Sequence, residues 1–284
     1  NQGNGHFKDI TQQAGLDWRR ADNLAGEPRQ AIITDFDNDG LQDIFISYVN
    51  DQHRLYKNIG NEHFEDVSEQ SGLGGKNLVG GPAVAFDYDN DGLLDIYINY
   101  FGDYIHGVLP TLARRNTNGL PNKLFHNEGN FQFKDLTAGS GVDNTGWGQA
   151  LTHTDLDRDG WQDLIVGNDF GVNAYYRNKG DGSFENIADK LGTGKPSYTM
   201  GVGISDLNKD LYPDIYISNI VTMNKDEKYV APNQDTPMKL NLEKLANMRV
   251  VEANDLFISQ LKQKTLTGYE LSSKVDRGYS STGW

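Results

Sequence analysis

The chain has 284 residues and a formal net charge of −14, with 40 acidic residues against 26 basic ones and no cysteine. The missing cysteines exclude disulfides, zinc–thiolate sites, iron–sulfur clusters and cysteine nucleophiles, and the acidic balance lacks the basic footprint of a nucleic-acid-binding protein. No run of 18 apolar residues is present, so the sequence predicts no membrane-spanning helix.

A nine-residue acidic motif recurs four times along the chain. Three copies read Asp-x-Asp-x-Asp-Gly-x-x-Asp, whereas the fourth has Asn208 at the third position and Leu211 in place of the glycine. The copies, named here the first to fourth acidic loops, occupy residues 35–43, 87–95, 155–163 and 206–214. Each is followed by a β-branched or aromatic run and preceded by another short apolar run, so a strand is predicted on both sides.

A second motif, Asn-x-Gly-x-x-x-Phe, alternates with the acidic loops. It begins at Asn1, Asn58, Asn127 and Asn178, and a degenerate fifth copy begins at Asn254. An Asn-x-Gly turn between apolar runs predicts a β-hairpin. One repeat unit therefore reads strand, acidic loop, strand, turn region, strand, hairpin turn, strand.

Four antiparallel strands in roughly 50 residues are typical of one propeller blade. A β-sandwich is the alternative, but it does not require a period. The sequence predicts an all-β β-propeller, a single domain over residues 1–284, with four full blades and partial ones at the ends. Asn1 falls within a hairpin motif, and residues 282–284 repeat the Thr-Gly-Trp of residues 145–147. We therefore expect a segment of a longer protein with a five- to seven-bladed ring.

Two repeat units are longer than the others, with insertions at about residues 101–122 and 222–253. The second insertion contains two prolines and then a helix-like stretch. Each insertion is interpreted either as a packed surface excursion or as a loop that contacts a partner or ligand. Loops on rigid scaffolds often carry recognition, so both interpretations stay open.

The acidic loops are predicted to bind about four Ca²⁺ ions. Clustered carboxylates repel one another unless a cation neutralises them, and Ca²⁺ accepts six to eight oxygen ligands. Positions 1, 3, 5 and 9 would supply side-chain oxygens and position 7 a backbone carbonyl, while glycine at position 6 permits the sharp turn. The predicted ligands are Asp35, Asp37, Asp39, Leu41, Asp43, Asp87, Asp89, Asp91, Leu93, Asp95, Asp155, Asp157, Asp159, Trp161, Asp163, Asp206, Asn208, Asp210, Tyr212 and Asp214.

An EF-hand, a simple turn and a magnesium site each fit the acidic loops less well. An EF-hand needs glutamate at position 12, where these loops have isoleucine or valine inside a predicted strand. A simple turn formula explains one loop rather than four, and Mg²⁺ tolerates flexible cages poorly. Because Leu211 would need a left-handed backbone conformation, the fourth site is predicted to bind most weakly.

At these motifs the chain resembles the FG-GAP/VCBS repeats, which also occur in integrin α-subunits. Residues 175–184, Tyr-Tyr-Arg-Asn-Lys-Gly-Asp-Gly-Ser-Phe, and Gly-Trp-Gly at 146–148 are most similar to the cartilage acidic protein/UnbV-type branch. The resemblance covers nearly the whole chain except the insertions. It implies secreted or cell-surface proteins, commonly with seven blades and with calcium in hairpin loops. Adhesion receptors and matrix proteins share these repeats, and some polysaccharide lyases use related propellers.

No catalytic residue is predicted, because the histidines are not paired at metal-ligand spacing and no nucleophile elbow or phosphate loop is present. The leading hypothesis is a non-enzymatic, calcium-binding interaction or adhesion scaffold for protein or glycan. The alternatives are the propeller of a carbohydrate-active enzyme, either a polysaccharide lyase or a hydrolase, and a subunit of a larger cell-surface assembly. Extracellular calcium modules bind at roughly 10⁻⁴–10⁻³ M, so we expect secretion, surface exposure or a periplasmic location.

Overall fold

The computed structural model describes residues 2–111, 115–220 and 254–272, which form four antiparallel four-stranded sheets. The first sheet contains β1 (Glu27–Thr34), β2 (Asp43–Val49), β3 (Arg54–Asn58) and β4 (Phe64–Asp66). The second contains β5 (Gly80–Phe86), β6 (Asp95–Tyr100), β7 (Lys123–Asn127) and β8 (Phe133–Asp135). The third contains β9 (Gly148–Thr154), β10 (Asp163–Asn168), β11 (Ala174–Asn178) and β12 (Phe184–Asn186). The fourth contains β13 (Thr199–Ser205), β14 (Asp214–Asn219), β15 (Asp255–Lys262) and β16 (Thr265–Leu271).

Helical structure in these ranges is limited to a 3₁₀ turn at Tyr104–His106 and one short helix, α1 (Ala188–Leu191). Neither is long enough to cross a bilayer. The second predicted insertion, at 222–253, and the Thr-Gly-Trp repeat at 282–284 lie outside the described residues.

Each sheet follows the order of the sequence, with every strand antiparallel to the next. An acidic loop joins the first two strands of every sheet, and the Asn-x-Gly turn joins the last two strands of the first three sheets. The predicted all-β fold with four-stranded blades is therefore confirmed. We refer to the sheets in chain order as the first to fourth blades.

Neighbouring blades pack face to face. The first strands β1, β5, β9 and β13 lie side by side in that order. Three separate apolar cores fill the spaces between consecutive blades: one contains Phe45 and Phe125, the next Tyr97 and Leu164, and the third Tyr175. Because the second strands β6 and β10 are buried on both faces, they are apolar along most of their length.

A short segment after each blade bonds to the next blade. The amide of the hairpin phenylalanine donates to a carbonyl in this segment: Phe133 to Ser71 at 2.8 Å and Phe184 to Ser140 at 2.7 Å. The amide of Phe64 donates in the same way to Ala14 at 2.9 Å. The segment before the first blade therefore bonds to the first blade as the later segments bond to the second and third blades. In the described residues, the hairpin motif that begins at Asn1 forms an isolated bridge between Gly3 and His6.

An aromatic layer lies at the strand ends opposite the acidic loops. Trp147 contacts Phe101 and Phe170 with ring centroids 5.0 and 5.4 Å apart, and Phe170 contacts Tyr198 at 5.6 Å. The first insertion covers this layer, because its Asn118 side-chain oxygen accepts a hydrogen bond from Trp147 Nε1 at 2.9 Å. The described part of this insertion is therefore packed against the third blade.

Asp169, which follows β10 at this same end, is a buried carboxyl whose Oδ1 has no hydrogen-bond partner among the described residues. Burial raises its pKa from 3.8 to about 7. An acid with a raised folded-state pKa loses stabilisation as pH rises from its unfolded pKa to its folded one. We expect Asp169→Asn to reduce the dependence of the free energy of unfolding on pH between about pH 4 and 7. Above about pH 7 the variant should be more stable than the unmodified chain by ~1–3 kcal/mol. Urea denaturation at several pH values measures the free energy of unfolding. If its dependence on pH is the same in the variant as in the unmodified chain, the prediction is contradicted.

Candidate metal centres

The acidic loops curl around the carboxylate of their first residue. In the first loop, Asp35 accepts hydrogen bonds from the backbone amides of Asp39 and Gly40, at 3.2 and 2.8 Å. The second and third loops repeat this pattern around their own first aspartates. Gly40 has a φ of +87°, in the left-handed region that glycine at the sixth position adopts without strain. Asn38, at the fourth position, also has a positive φ, a feature that was not predicted from the sequence.

Three of the loops bring carboxylate oxygens together. The oxygens within each group lie within 4.8 Å of one another. The groups are Asp35, Asp37 and Asp39; Asp87, Asp89 and Asp95; and Asp155, Asp157 and Asp163. In the part of the chain that is described, the fourth loop forms no such group. The seventh-position carbonyls remain predicted ligands.

The ninth-position aspartates connect the loop to the blade. All four are buried, and both oxygens of each accept hydrogen bonds from backbone amides. In the third loop, Asp163 accepts from Leu156 in the same loop and from Asn178 on β11, both at 2.8 Å. Each oxygen has a second lone pair that can still contact a cation. Burial, together with the smaller effect of the charges of Asp157 and Asp159, raises the pKa of Asp163 to about 7, so a dication here would favour the ionised form.

The residues present fit Ca²⁺. Asp157 Oδ1 is buried and has no hydrogen-bond partner in the structure, which leaves it an unused acceptor inside the third loop. Burial and the charges of Asp159 and Asp155 together raise the pKa of Asp157. A set of hard carboxylate oxygens is the donor chemistry that Ca²⁺ prefers, and these loops contain no sulfur ligand.

One register position on the third strand contacts the acidic loop in the first two blades, and it was not identified from the sequence. It directly precedes the hairpin asparagine or its equivalent and is Lys57, His126, Arg177 or Ile258 in the four blades. Lys57 donates hydrogen bonds to Asp37 and, at 3.2 Å, to Asp39. His126 Nδ1 lies 3.1 Å from Asp95 Oδ1 and 3.4 Å from Asp89 Oδ2. In the first three blades this residue directly precedes the Asn-x-Gly motif, and that position was the signal in the sequence that could have identified it.

The hairpin asparagines explain why the two motifs alternate. Asn127 Nδ2 donates to Leu94 O in its own blade at 3.0 Å and to Phe36 O in the first acidic loop at 2.9 Å. Asn178 makes the same pair of bonds, to Gln162 O and to Tyr88 O in the second loop. Each of these asparagines therefore links its blade to the acidic loop of the blade before it.

The fourth loop departs from the others. Leu211 has a φ of +72°, in the region where a side chain is strained. Asp210 Oδ2 already accepts hydrogen bonds from Asn208 Nδ2 at 2.9 Å and from Ser259 Oγ at 2.7 Å. The backbone strain expected from the sequence is present, and the lower affinity of this loop stays a prediction.

Replacing Leu211 with glycine tests that strain. Leu211 is 68% exposed, so the substitution removes little packing. We expect Leu211→Gly to stabilise the chain by ~1 kcal/mol and to strengthen calcium binding at the fourth loop. Chemical denaturation and calorimetric calcium titration check the two effects. Equal stability and equal affinity before and after the change would contradict the prediction.

The similarity of this chain to a known protein family lies in the repeated acidic loops and the strands beside them. The family described as FG-GAP-like repeat matches residues 35–98 and 155–217, which contain all four acidic loops. The chain contains FG-GAP-like repeats over these two ranges. The matched ranges begin at the first and third acidic loops, so each FG-GAP-like match spans the loops of two blades.

The FG-GAP-like chain is also similar to longer proteins. It is 30% identical over 176 residues to cartilage acidic protein 1 of Mus musculus, covering 58% of this chain and 24% of that protein. It is 35% identical over 85 residues to integrin alpha-7 of Mus musculus, covering 26% of this chain and 7% of that protein. A solved lectin structure from Agrocybe aegerita, described as recognising non-reducing terminal N-acetylglucosamine, aligns with 87% of this chain and 67% of its own, at 17% identity and a TM-score of 0.43. The FG-GAP-like chain thus spans about a quarter or less of the curated relatives.

Proposed function

We propose that this chain is a calcium-binding extracellular scaffold whose blades present a binding surface to protein or glycan. The observation that carries the proposal is the convergence of carboxylates in three loops, together with the unpartnered buried oxygen of Asp157. Ca²⁺ in these loops would hold the first two strands of each blade together. The similarity to cartilage acidic protein 1 and to integrin alpha-7 supports a role outside the cell, where calcium is abundant enough for extracellular modules.

A polar cleft offers one surface for such a ligand. Its volume is about 270 Å³, and it lies where the first insertion meets the third blade. Arg115 and Asn116 of the insertion line it, together with Asp143, Asn144 and Tyr176. Amide, hydroxyl and charged groups around an aromatic ring suit a glycan or a polar peptide. Among its described lining residues Asp143 is the one carboxylate, whereas glycoside hydrolysis commonly needs two, which favours binding over cleavage.

Array binding tests this function. The labelled chain is applied to glycan and extracellular-protein arrays in millimolar Ca²⁺ and again after chelation. We expect binding that is lost on chelation and weakened by a double Arg115→Ala, Asn144→Ala change in the cleft. Binding that persists unchanged in chelator would contradict a calcium-dependent scaffold, and shortened glycans in the supernatant would favour an enzyme.

A further inference from the structure

The four acidic loops have similar backbones but differ in the charge that faces them. In the first blade, Lys57 lies on β3 and its ammonium group contacts both Asp37 and Asp39. The same ammonium lies 5.0 Å from the ring centre of Phe131 in the second blade. Its side chain is 29% exposed, so the charge is held partly inside the loop rather than extended into solvent.

The third blade offers a matched comparison. Arg177 has the register position of Lys57, since each is paired across the hairpin with a glutamate, Glu185 or Glu65. Arg177 uses that glutamate, with its guanidinium 3.3 Å from Glu185. Lys57 instead contacts its acidic loop. The contacts differ accordingly: Asp37 Oδ2 accepts a hydrogen bond from Lys57, whereas the ion pair of Arg177 in the described residues is with Glu185 and not with a carboxylate of the third loop.

We propose that Lys57 is a built-in counter-cation of the first acidic loop, which lowers the calcium affinity of that loop relative to the third. This inference rests on the proposed calcium function. The ammonium contacts the third- and fifth-position carboxylates, which are two of the predicted metal ligands. A Ca²⁺ ion that binds there must therefore displace the ammonium or tolerate a like charge beside it. Among the residues that the structure describes, no ammonium or guanidinium group forms an ion pair with the carboxylates of the third loop.

The expected effect follows from the charges. A unit charge at hydrogen-bond distance commonly changes an ionic equilibrium by about tenfold or more. Displacing the ammonium towards Glu65 recovers a surface ion pair, which is worth little and offsets only part of this cost. The first loop is then a low-affinity site, and its carboxylates stay partly neutralised by the ammonium of Lys57 when calcium is scarce. The carboxylates of the third loop depend on the metal for their neutralisation.

Three glycine amides allow the loops to be observed separately in one sample. The amides of Gly40, Gly92 and Gly160 each donate to the first aspartate of their own loop, at 2.8, 3.0 and 2.9 Å. Calcium is titrated into ¹⁵N-glycine-labelled chain after chelator treatment, and the half-saturation of each resonance is recorded. The variants are Lys57→Met, which keeps the apolar stem, and Arg177→Met as the matched control in the third blade.

In the unmodified chain, Gly40 should reach half-saturation at about tenfold more Ca²⁺ than Gly160. Lys57→Met should lower the Gly40 half-point by about tenfold and leave Gly160 unchanged, whereas Arg177→Met should leave Gly40 unchanged. Equal half-points for Gly40 and Gly160 in the unmodified chain would overturn the proposal without any variant. A Gly40 half-point that is the same with and without Lys57 would also overturn it.

The failure of this proposal is distinguishable from the failure of the calcium function. If Gly160 responds to Ca²⁺ but Gly40 does not depend on Lys57, then the counter-cation proposal is wrong and the calcium function stands. If neither glycine responds, the calcium function itself is wrong, and Lys57→Met has no calcium effect to modify. Lys57→Gln is the second variant, should the methionine variant fold poorly.

Discussion

Adding excess chelator to the calcium-saturated chain is expected to lower its melting temperature by about 10 °C or more. A ligand that binds the folded state alone stabilises it by RT ln(1 + [L]/Kd), or ~2.7 kcal/mol for a site at a hundred times its Kd. Three loops with converging carboxylates therefore contribute several kcal/mol together. Each kcal/mol shifts the melting temperature by about 2–4 °C in a domain of this size.

Differential scanning calorimetry measures this shift directly. The control is a scan in chelator with excess Mg²⁺, which should not restore the melting temperature because Mg²⁺ demands a rigid octahedral site. Returning Ca²⁺ in excess should restore it. A melting temperature that is the same with Ca²⁺ and with chelator would contradict the stabilising role of the loops.

The second large effect is expected from Asp163→Ala. The carboxylate of Asp163 accepts the buried amides of Leu156 and Asn178, so alanine leaves both without a partner. Each orphaned buried donor costs ~1–3 kcal/mol, and we expect a total loss of ~3 kcal/mol or more. Because these bonds are part of the blade rather than of the metal site, the loss should be present in chelator as well as in Ca²⁺. Denaturant unfolding in both conditions measures it.

Asp159→Ala is the matched control for Asp163→Ala. Asp159 belongs to the same acidic loop but is exposed, and its Oδ1 accepts a hydrogen bond from the amide of Trp161 within the loop. Its removal should weaken calcium binding and destabilise the chain in Ca²⁺, with little effect in chelator. If the two variants behave alike in chelator, then Asp163 has no separate structural role.

The blades could be predicted from the sequence because their signals are local. The acidic loop and the hairpin motif each span fewer than ten residues, and their alternation defines one four-stranded unit. The left-handed conformation at Gly40 follows from the turn alone. Leu211 adopts the same conformation in the fourth loop, although its side chain makes that conformation strained. Such features depend on backbone sterics within a few residues, which a sequence displays directly.

The features that escaped prediction depend on register between strands. The contact of Lys57 with Asp37 joins residues 20 positions apart, and Asn127 reaches the carbonyl of Phe36 across 91 positions. Neither partner can be chosen until the pairing of β2 with β3, and the stacking of the first blade on the second, are known. The ninth-position aspartates were interpreted as metal ligands alone for the same reason, since their backbone donors come partly from the third strand.

The central claim is that the acidic loops hold Ca²⁺ between the first two strands of each blade. Crystals grown in calcium, with diffraction collected at a wavelength where calcium scatters anomalously, test it most directly. The account predicts anomalous peaks within the loops at residues 35–43, 87–95 and 155–163, each surrounded by oxygen atoms at about 2.3–2.6 Å. Calcium-saturated crystals without anomalous density in any of these loops would contradict it.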